Sequence, residues 1–336
     1  MNQKILVVCP IGLGNYIMIS PALELLNSSL SSQSSCQLDI LALKTGIAEL
    51  AKCQGIFTNI YCWDPDKDKL NQGLKILLKL RKTGYHKALM LYPTENWKFQ
   101  WYIKACGIKT IVYPNKKDTS EHDVEVNYKL VQSITDNQVQ KKIIIPYPKG
   151  LVAKGSKETL LPNHNFYVLH PGSSSERGMA GKRWETSKFA QLIDNLYTQK
   201  GLKCVLIGGP EEQELRSQVT SHCLQKEAVQ SSRAASLAQT AYLMSRADFF
   251  IGNDSGLMHL AVSLNKICMV MFGPTNEKET GPYPLQKHLI IREAKHYPEY
   301  LTKNGRLMYR DKGGLDKLKP QDVTSQILEF LKEGIG

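Results

Sequence analysis

Two stretches, FYVLHPGSSSERGMAGKRW at residues 166–184 and DFFIGNDSGLMH at residues 248–259, follow one grammar. Each opens on a short apolar run, Phe166 to Leu169 and Phe249 to Ile251, the pattern of a strand buried on both faces of a parallel sheet. The first run breaks at His170-Pro171-Gly172 and three serines. The second breaks at Gly252-Asn253-Asp254-Ser255-Gly256, and Leu257 opens a helix. A Gly/Ser loop between a strand and a helix aims unpaired N–H groups outward, with the helix dipole behind them. Such a loop suits an anion, most often phosphate. Lys182 and Arg183 add formal charge near the first loop. Two such loops in one half of the chain suggest a diphosphate clamped from two sides.

Outward from these stretches, strands and helices alternate. Before them the pattern predicts strand 4–9, a helix carrying Ile17, Ile19, Leu23, Leu25 and Leu26, strand 37–43, helix 46–53 and a strand near 57–62. A lysine-rich amphipathic helix over about 67–82, strand 87–92, a helix carrying Trp97, Phe99, Trp101 and Tyr102, strand 110–113 and helix 122–135 complete the first half. Trp97 and Trp101 stand one turn apart. They form either a core face or, between Lys98 and Lys104, an aromatic-basic face for lipid headgroups. Residues 137–164 lose periodicity and collect Pro146, Pro148, Gly150, Gly155 and Pro162. After them come helix 185–199, strand 202–207, helices 211–223 and 236–246, helix 257–263, strand 267–271 and a last helix from Gln321 to Leu331. The implied fold class is α/β, with two doubly wound Rossmann-like domains facing a cleft. The expected organisation is an acceptor-binding domain over 1–140, a linker over 141–164, a donor-binding domain over 165–320 and a helix over 321–336 that folds back.

A chain of 336 residues with 42% hydrophobic and 22% charged content has the size and composition of two globular domains. No apolar run approaches the roughly 20 residues of a membrane span, and Met1-Asn2-Gln3-Lys4 runs straight into a strand without a leader pattern. Eight scattered cysteines without a CxxC read as reduced structural thiols of a cytoplasmic protein, not as a zinc site. The net charge of +12 favours phosphorylated ligands or an anionic membrane. No zinc-finger spacing, RNP-type strand or basic heptad helix supports a nucleic-acid partner. Gly12-x-Gly14 after the first strand hints at a dinucleotide loop, but Ile17 stands where the third glycine belongs and no clear ribose-binding acid ends the next strand.

Read in order, His170-Pro171-Gly172-Ser173, Lys182-Arg183-Trp184, Gly208-Gly209-Pro210, Gly252-Asn253-Asp254-Ser255-Gly256 with His259, and Phe272-Gly273-Pro274-Thr275 resemble glycosyltransferase family 9, the lipopolysaccharide heptosyltransferases. The resemblance implies an inverting transfer of sugar, most readily heptose from ADP-heptose, to a lipopolysaccharide or other surface-glycan acceptor. The expected partners are a nucleotide-sugar donor and a glycolipid or glycan acceptor, met at the cytoplasmic membrane face through peripheral contact. It places Ser173, Ser174, Lys182, Asp254, Ser255, Gly256 and His259 around the donor diphosphate and Leu237 near the nucleoside. The alternative reading of His259 is a core histidine bonded to a carbonyl. The acceptor loop falls on Gly12 and Gly14. The family carries an aspartate next; this chain carries Asn15, and an amide cannot serve as a base. Asn15 is then left to orient the acceptor, with Glu95 as base and Asp123 or Glu125 as further carboxylates. No cofactor or metal is expected, because no Asp-x-Asp pair is read anywhere in the chain and Lys182 with helix amides can carry the leaving-group charge. A binding protein without catalysis and an NAD-dependent oxidoreductase are the two rival readings.

Overall fold

The computed structural model describes residues 3–9, 12–31, 36–64, 68–91, 97–114, 121–135, 142–157, 159–173, 181–293, 300–303, 306–309 and 311–333. They divide into two compact units, Met1–Gly150 and Leu151–Gly336.

In the first unit strands and helices alternate as β1 (Gln3–Cys9), α1 (Leu13–Ser31), β2 (Cys36–Ala42), α2 (Thr45–Gln54), β3 (Asn59–Cys62), α3 (Leu70–Thr83), β4 (Lys87–Leu89), α4 (Trp97–Ala105), β5 (Thr110–Val112) and α5 (Asp123–Ile134). All neighbouring strands pair in parallel, in the order β3-β2-β1-β4-β5. Every residue from Ile5 to Cys9 is buried, as a central strand covered on both faces requires. Leu6 and Val8 pack with Ile76 and Leu80 of α3 and Ile103 of α4, and α1 packs along α5. Pro21 inside α1 removes the N–H that the Ile17 carbonyl would take, and the Ser20 hydroxyl donates to that carbonyl instead, at 2.7 Å. A short helix, α6 (Lys149–Gly155), forms within the stretch whose prolines and glycines signal a linker. Gly155 belongs there because a Cβ would stand 2.0 Å from the Ala238 carbonyl oxygen.

The second unit runs β6 (Tyr167–His170), α7 (Thr186–Lys200), β7 (Cys204–Leu206), α8 (Gln213–His222), β8 (Val229–Ser231), α9 (Leu237–Arg246), β9 (Phe250–Asn253), α10 (Gly256–Ser263), β10 (Cys268–Met271), α11 (Glu277–Thr280) and β11 (Leu289–Ile291). Then come an antiparallel hairpin, β12 (Tyr300–Lys303) with β13 (Arg306–Tyr309), and α12 (Pro320–Lys332). Its parallel sheet has the order β11-β10-β9-β6-β7-β8. One face is sealed by Phe189, Ile193 and Leu196 of α7, Val219 of α8, and Val323 and Ile327 of α12. The strands β8 and β11 and the hairpin escape the sequence reading, since three or four residues each is too short for a period.

Both units are therefore doubly wound α/β folds. In each sheet the order reverses beside the unit's first strand: β1 lies between β2 and β4, and β6 lies between β7 and β9. Turns leaving neighbouring strands on the two sides of such a reversal diverge, which opens a crevice at their carboxyl ends. None of the eight cysteines is in a disulfide. Burial pushes the Cys106 and Cys223 thiols up to about 12, so they are protonated and inert at neutral pH. Among the described residues no helix is long and apolar enough to cross a membrane.

His288 ties β10 to the turn before β11: its Nδ1 accepts the Cys268 N–H at 3.1 Å, which requires an unprotonated nitrogen. Burial, with the Lys287 charge adding to it, lowers this ring from 6.5 to about 4. Between those values the unfolded chain binds the proton more readily, so this stabilisation is complete above pH 6.5 and is lost as pH falls toward 4. As pH falls through that window, the unfolding free energy measured in urea should drop by about 2–3 kcal/mol more for wild type than for a His288→Gln variant.

Candidate functional site

The crevice of the second unit lies where β6 and β9 run side by side, and the two loops read from the sequence leave these strands. Asn253, fully buried at the end of β9, joins them. Its Nδ2 donates to the Pro171 carbonyl at 2.9 Å, and its Oδ1 accepts the Trp184 N–H at 3.0 Å. Trp184 is anchored in turn, its indole N–H reaching the Leu318 carbonyl at 3.3 Å. The Lys182-Arg183-Trp184 segment is thus fixed against the β9 turn by its tryptophan.

That anchoring delivers Lys182 to Asp254. The ammonium stands 2.7 Å from Asp254 Oδ2, and the Thr275 hydroxyl donates to the same oxygen at 2.7 Å. Burial works against ionisation of Asp254, but the Lys182 charge, the two donors and the nearby His259 outweigh it and hold the carboxyl below its usual range. Lys182 is therefore not a lone cation beside a serine loop. Its charge is balanced by a buried carboxylate, which positions the ammonium at the mouth of α10. Ser255 caps that helix, accepting the Met258 N–H at 3.4 Å. Gly256 and Leu257 follow in its first turn, only partly buried.

Beneath the loops runs a second chain of contacts. Ser255 Oγ lies 3.0 Å from His170 Nδ1, and His170 Nε2 lies 2.9 Å from Glu212 Oε2. Glu212 also accepts the Gly209 N–H at 3.1 Å, while Arg216 donates to the Gly209 carbonyl at 2.8 Å. Burial opposes ionisation of Glu212, yet its bonds to His170 and Gly209 prevail and lower its carboxyl. With Glu212 ionised and only able to accept, Nε2 of His170 carries the hydrogen of that contact. A Cβ at 172 would meet Glu212 Oε1 at 1.8 Å and His170 Nε2 at 2.8 Å, so a larger residue there would have to push the bonded Glu212 side chain aside. Gly208, with φ of 152°, supplies the left-handed bend that brings Glu212 beneath. Serine, histidine and glutamate here brace three turns; the buried serine serves as a helix cap and not as a nucleophile.

Lys182, Asp254, Ser255, Gly256 and His259 are brought together. Ser173 stands beside them, buried, with its Oγ accepting from Arg183 Nε at 3.3 Å. Leu237, half-buried, opens α9 beyond the edge strand β8. In the first unit Gly12 immediately precedes α1, and a Cβ there would meet nothing within 4 Å, so it leaves open space without demanding a strained backbone. Gly14 is buried and Asn15 partly exposed in the first turn of α1. Asp123 is buried at the start of α5 behind the His122 cap, and Glu125 is partly buried. Ser174 and Glu95 lie outside the described residues. The sequence reading gave no role to Glu212, Arg216 or Thr275, although Glu211-Glu212 directly follow Gly208-Gly209-Pro210 and Thr275 closes Phe272-Gly273-Pro274-Thr275. Alternating aspartates do occur in the chain, at Asp64-Pro65-Asp66-Lys67-Asp68 in the first unit. There Asp64 pairs with Lys44 at 3.3 Å and Asp68 accepts the Asp64 N–H at 2.7 Å. Among the described residues no cluster of three or more His, Cys, Asp or Glu is placed to hold a metal ion.

The sequence profile of glycosyltransferase family 9 (heptosyltransferase) matches residues 104–306, more than half of the chain. The chain belongs to glycosyltransferase family 9. The lipopolysaccharide heptosyltransferase 2 of Escherichia coli K12 is 27% identical over 216 residues, which cover 57% of this chain and 61% of that protein. Across the first curated relatives the alignments span 54–61% of the relatives' own length. In three dimensions the family 9 member resembles the E. coli ADP-heptose lipopolysaccharide heptosyltransferase II, with a TM-score of 0.72 and 19% identity over 98% of this chain and 99% of that one. An E. coli heptosyltransferase with ADP gives a TM-score of 0.69 and 16% identity over 98% and 99% of the two chains. These likenesses establish the fold as that of the heptosyltransferases.

The Lys182–Asp254 pair makes its own prediction. Lys182→Ala strands a buried carboxylate and should lower unfolding stability by about 3 kcal/mol. Adding Asp254→Asn should restore most of that loss, as denaturant titration of the single and double variants will measure.

Proposed function

We propose that this family 9 protein transfers a sugar from a nucleotide-diphospho-sugar, most readily heptose from ADP-heptose, to a lipopolysaccharide or other surface-glycan acceptor. The reaction would proceed with inversion, without a metal or other cofactor, on the cytoplasmic side of the membrane. The observation that carries this reading is the family assignment of a chain whose second unit sets Lys182 and the α10 N-terminus side by side at a strand-order reversal. The ADP named with one structural relative and the ADP-heptose named with another support the choice of nucleotide and sugar.

In such a transfer a base takes the acceptor hydroxyl proton and the acceptor oxygen attacks the anomeric carbon. The bond from that carbon to the diphosphate breaks, and the nucleoside diphosphate departs with the electron pair. Charge grows on the diphosphate as it leaves. Lys182 and the first-turn amides of α10 are preorganised to meet it, while Thr275 keeps its hold on Asp254. Ser173, Ser174 and His259 complete the donor set, and Leu237 would border the nucleoside. The acceptor belongs to the Gly12–Asn15 turn, where Asn15 orients the hydroxyl and Glu95 acts as base.

Calorimetry should rank ADP above GDP and UDP. Lys182→Ala should weaken ADP by on the order of tenfold or more, the worth of a charged hydrogen bond. Equal affinity for the three nucleotides, or no effect of the substitution, would remove ADP or Lys182 from the reading.

Release of ADP from ADP-heptose in the presence of acceptor should survive EDTA. Asn15→Asp should stay within about tenfold of wild type, whereas Glu95→Gln should cut kcat by about 10²–10⁴. A Glu95→Gln enzyme with wild-type kcat would return the base assignment to Asp123 and Glu125. Nucleotide-sugar binding without any turnover would favour a binding protein.

A further inference from the structure

We infer that the outer face of α3, with the exposed tryptophan of α4, is a docking surface for an anionic lipid bilayer. Leu70, Leu74 and Leu78 are 86%, 58% and 58% exposed. Spaced four residues apart, they stack along one side of the helix as a continuous apolar stripe. The opposite side of α3 is already filled: Gly73, Ile76 and Leu80 are buried. A Cβ on Gly73 would stand 2.6 Å from the Trp63 ring, and its carbonyl accepts the Tyr102 hydroxyl at 2.8 Å. The helix therefore cannot roll its leucines inward. The stripe is built to face outward.

The charges around the stripe identify what it faces. Lys69, Lys75, Lys79, Arg81 and Lys82 are exposed, and no acidic residue falls between positions 69 and 83. Of the aspartates before the helix, Asp64 pairs with Lys44 and Asp68 accepts the Asp64 N–H, while Asp66 lies outside the described residues. On the adjoining α4, Tyr102 turns inward to stack on Trp63 at 5.3 Å, while the next residue back, Trp101, is 66% exposed and Lys104 is exposed beyond it. Trp101 thus departs from the core reading of the α4 aromatics; the side chains of Trp97 and Phe99 lie outside the described residues.

Leucines flanked by lysines without acids, beside an exposed tryptophan, have the composition of a helix lying in a bilayer interface. Its apolar side enters the acyl boundary and its cations meet lipid phosphates. A second copy of the chain pressed onto the same leucines would bring two rows of lysine and arginine together, whereas an anionic surface neutralises them. Docking of this kind needs neither donor nor acceptor, so it stands apart from the transfer proposed above.

Cosedimentation of the full chain with vesicles tests it, using phosphatidylcholine alone and phosphatidylcholine mixed with phosphatidylglycerol. Wild type should bind the mixed vesicles at least about tenfold more tightly than the neutral ones, and added salt should erode the difference. Replacing Leu70, Leu74 and Leu78 by serine should weaken binding by on the order of tenfold or more. Lys75→Glu with Lys79→Glu should abolish the preference for the anionic surface. Circular dichroism of both variants should match wild type, since every substituted side chain is exposed. Failure of wild type to bind the mixed vesicles, or wild-type binding by the serine variant, would overturn the inference. A wild-type dimer that the serine variant loses, seen in sedimentation velocity without lipid, would overturn it in favour of a second copy.

Discussion

A carboxylate shut away from water needs a cation, and the second unit is arranged to supply one. Asp254 holds Lys182 at 2.7 Å, and the contact depends on nearly every motif of that half. Trp184 fixes the backbone beside the lysine, Asn253 holds Trp184, and Thr275 supports the carboxylate from the turn after β10. Because Asp254 is buried, the pair costs desolvation, which the Lys182 charge together with the Lys182 and Thr275 donors offsets. What the arrangement secures is position: an ammonium on a flexible four-carbon stem is held beside the N-terminus of an eight-residue helix. A ligand anion arriving there meets donors already oriented, and the helix dipole adds to them.

Much of this was legible from local chemistry. Buried parallel strands announce themselves as apolar runs, and strand-ending Gly, Ser and Asn announce the turns; hence β6, β9 and the turn into α10 fall where the residues indicate. The sheet order then follows from chain order, because each doubly wound unit reverses beside its first strand. What stayed hidden was pairing at long range. Nothing in Lys182 or Asp254 alone reveals a partner 72 residues away, and Glu212 looks like a surface acid until His170 is placed above it. Short strands such as β8 and β11 hid for a different reason, since their positions are set by neighbouring strands and not by a pattern of their own. In the first unit the sequence showed that a lysine-rich helix exists but not which side it buries. Gly73 against Trp63 decides that.

The two units solve one folding problem and put the solution to different uses. The second invests its polar residues inside, joining turns to one another beneath a helix terminus. The first keeps a comparatively plain turn at Gly12 and places four basic residues, and no acid, on an outward helix. A glycine with open space around it and a leucine stripe facing solvent are both poor choices for stability alone, which is why their meaning lies with what approaches from outside.

The run from Ser255 through His170 to Glu212 has a consequence for how such sequences can change. Each member satisfies a buried neighbour on another turn, so the loss of one leaves a stranded polar atom on the next. Gly172 adds a steric condition, because any larger residue would displace the glutamate itself. These positions form a single unit of inheritance: divergent members should keep the set whole or exchange it together, and substitutions at 170, 172, 212 and 255 should covary even while the surface around them drifts.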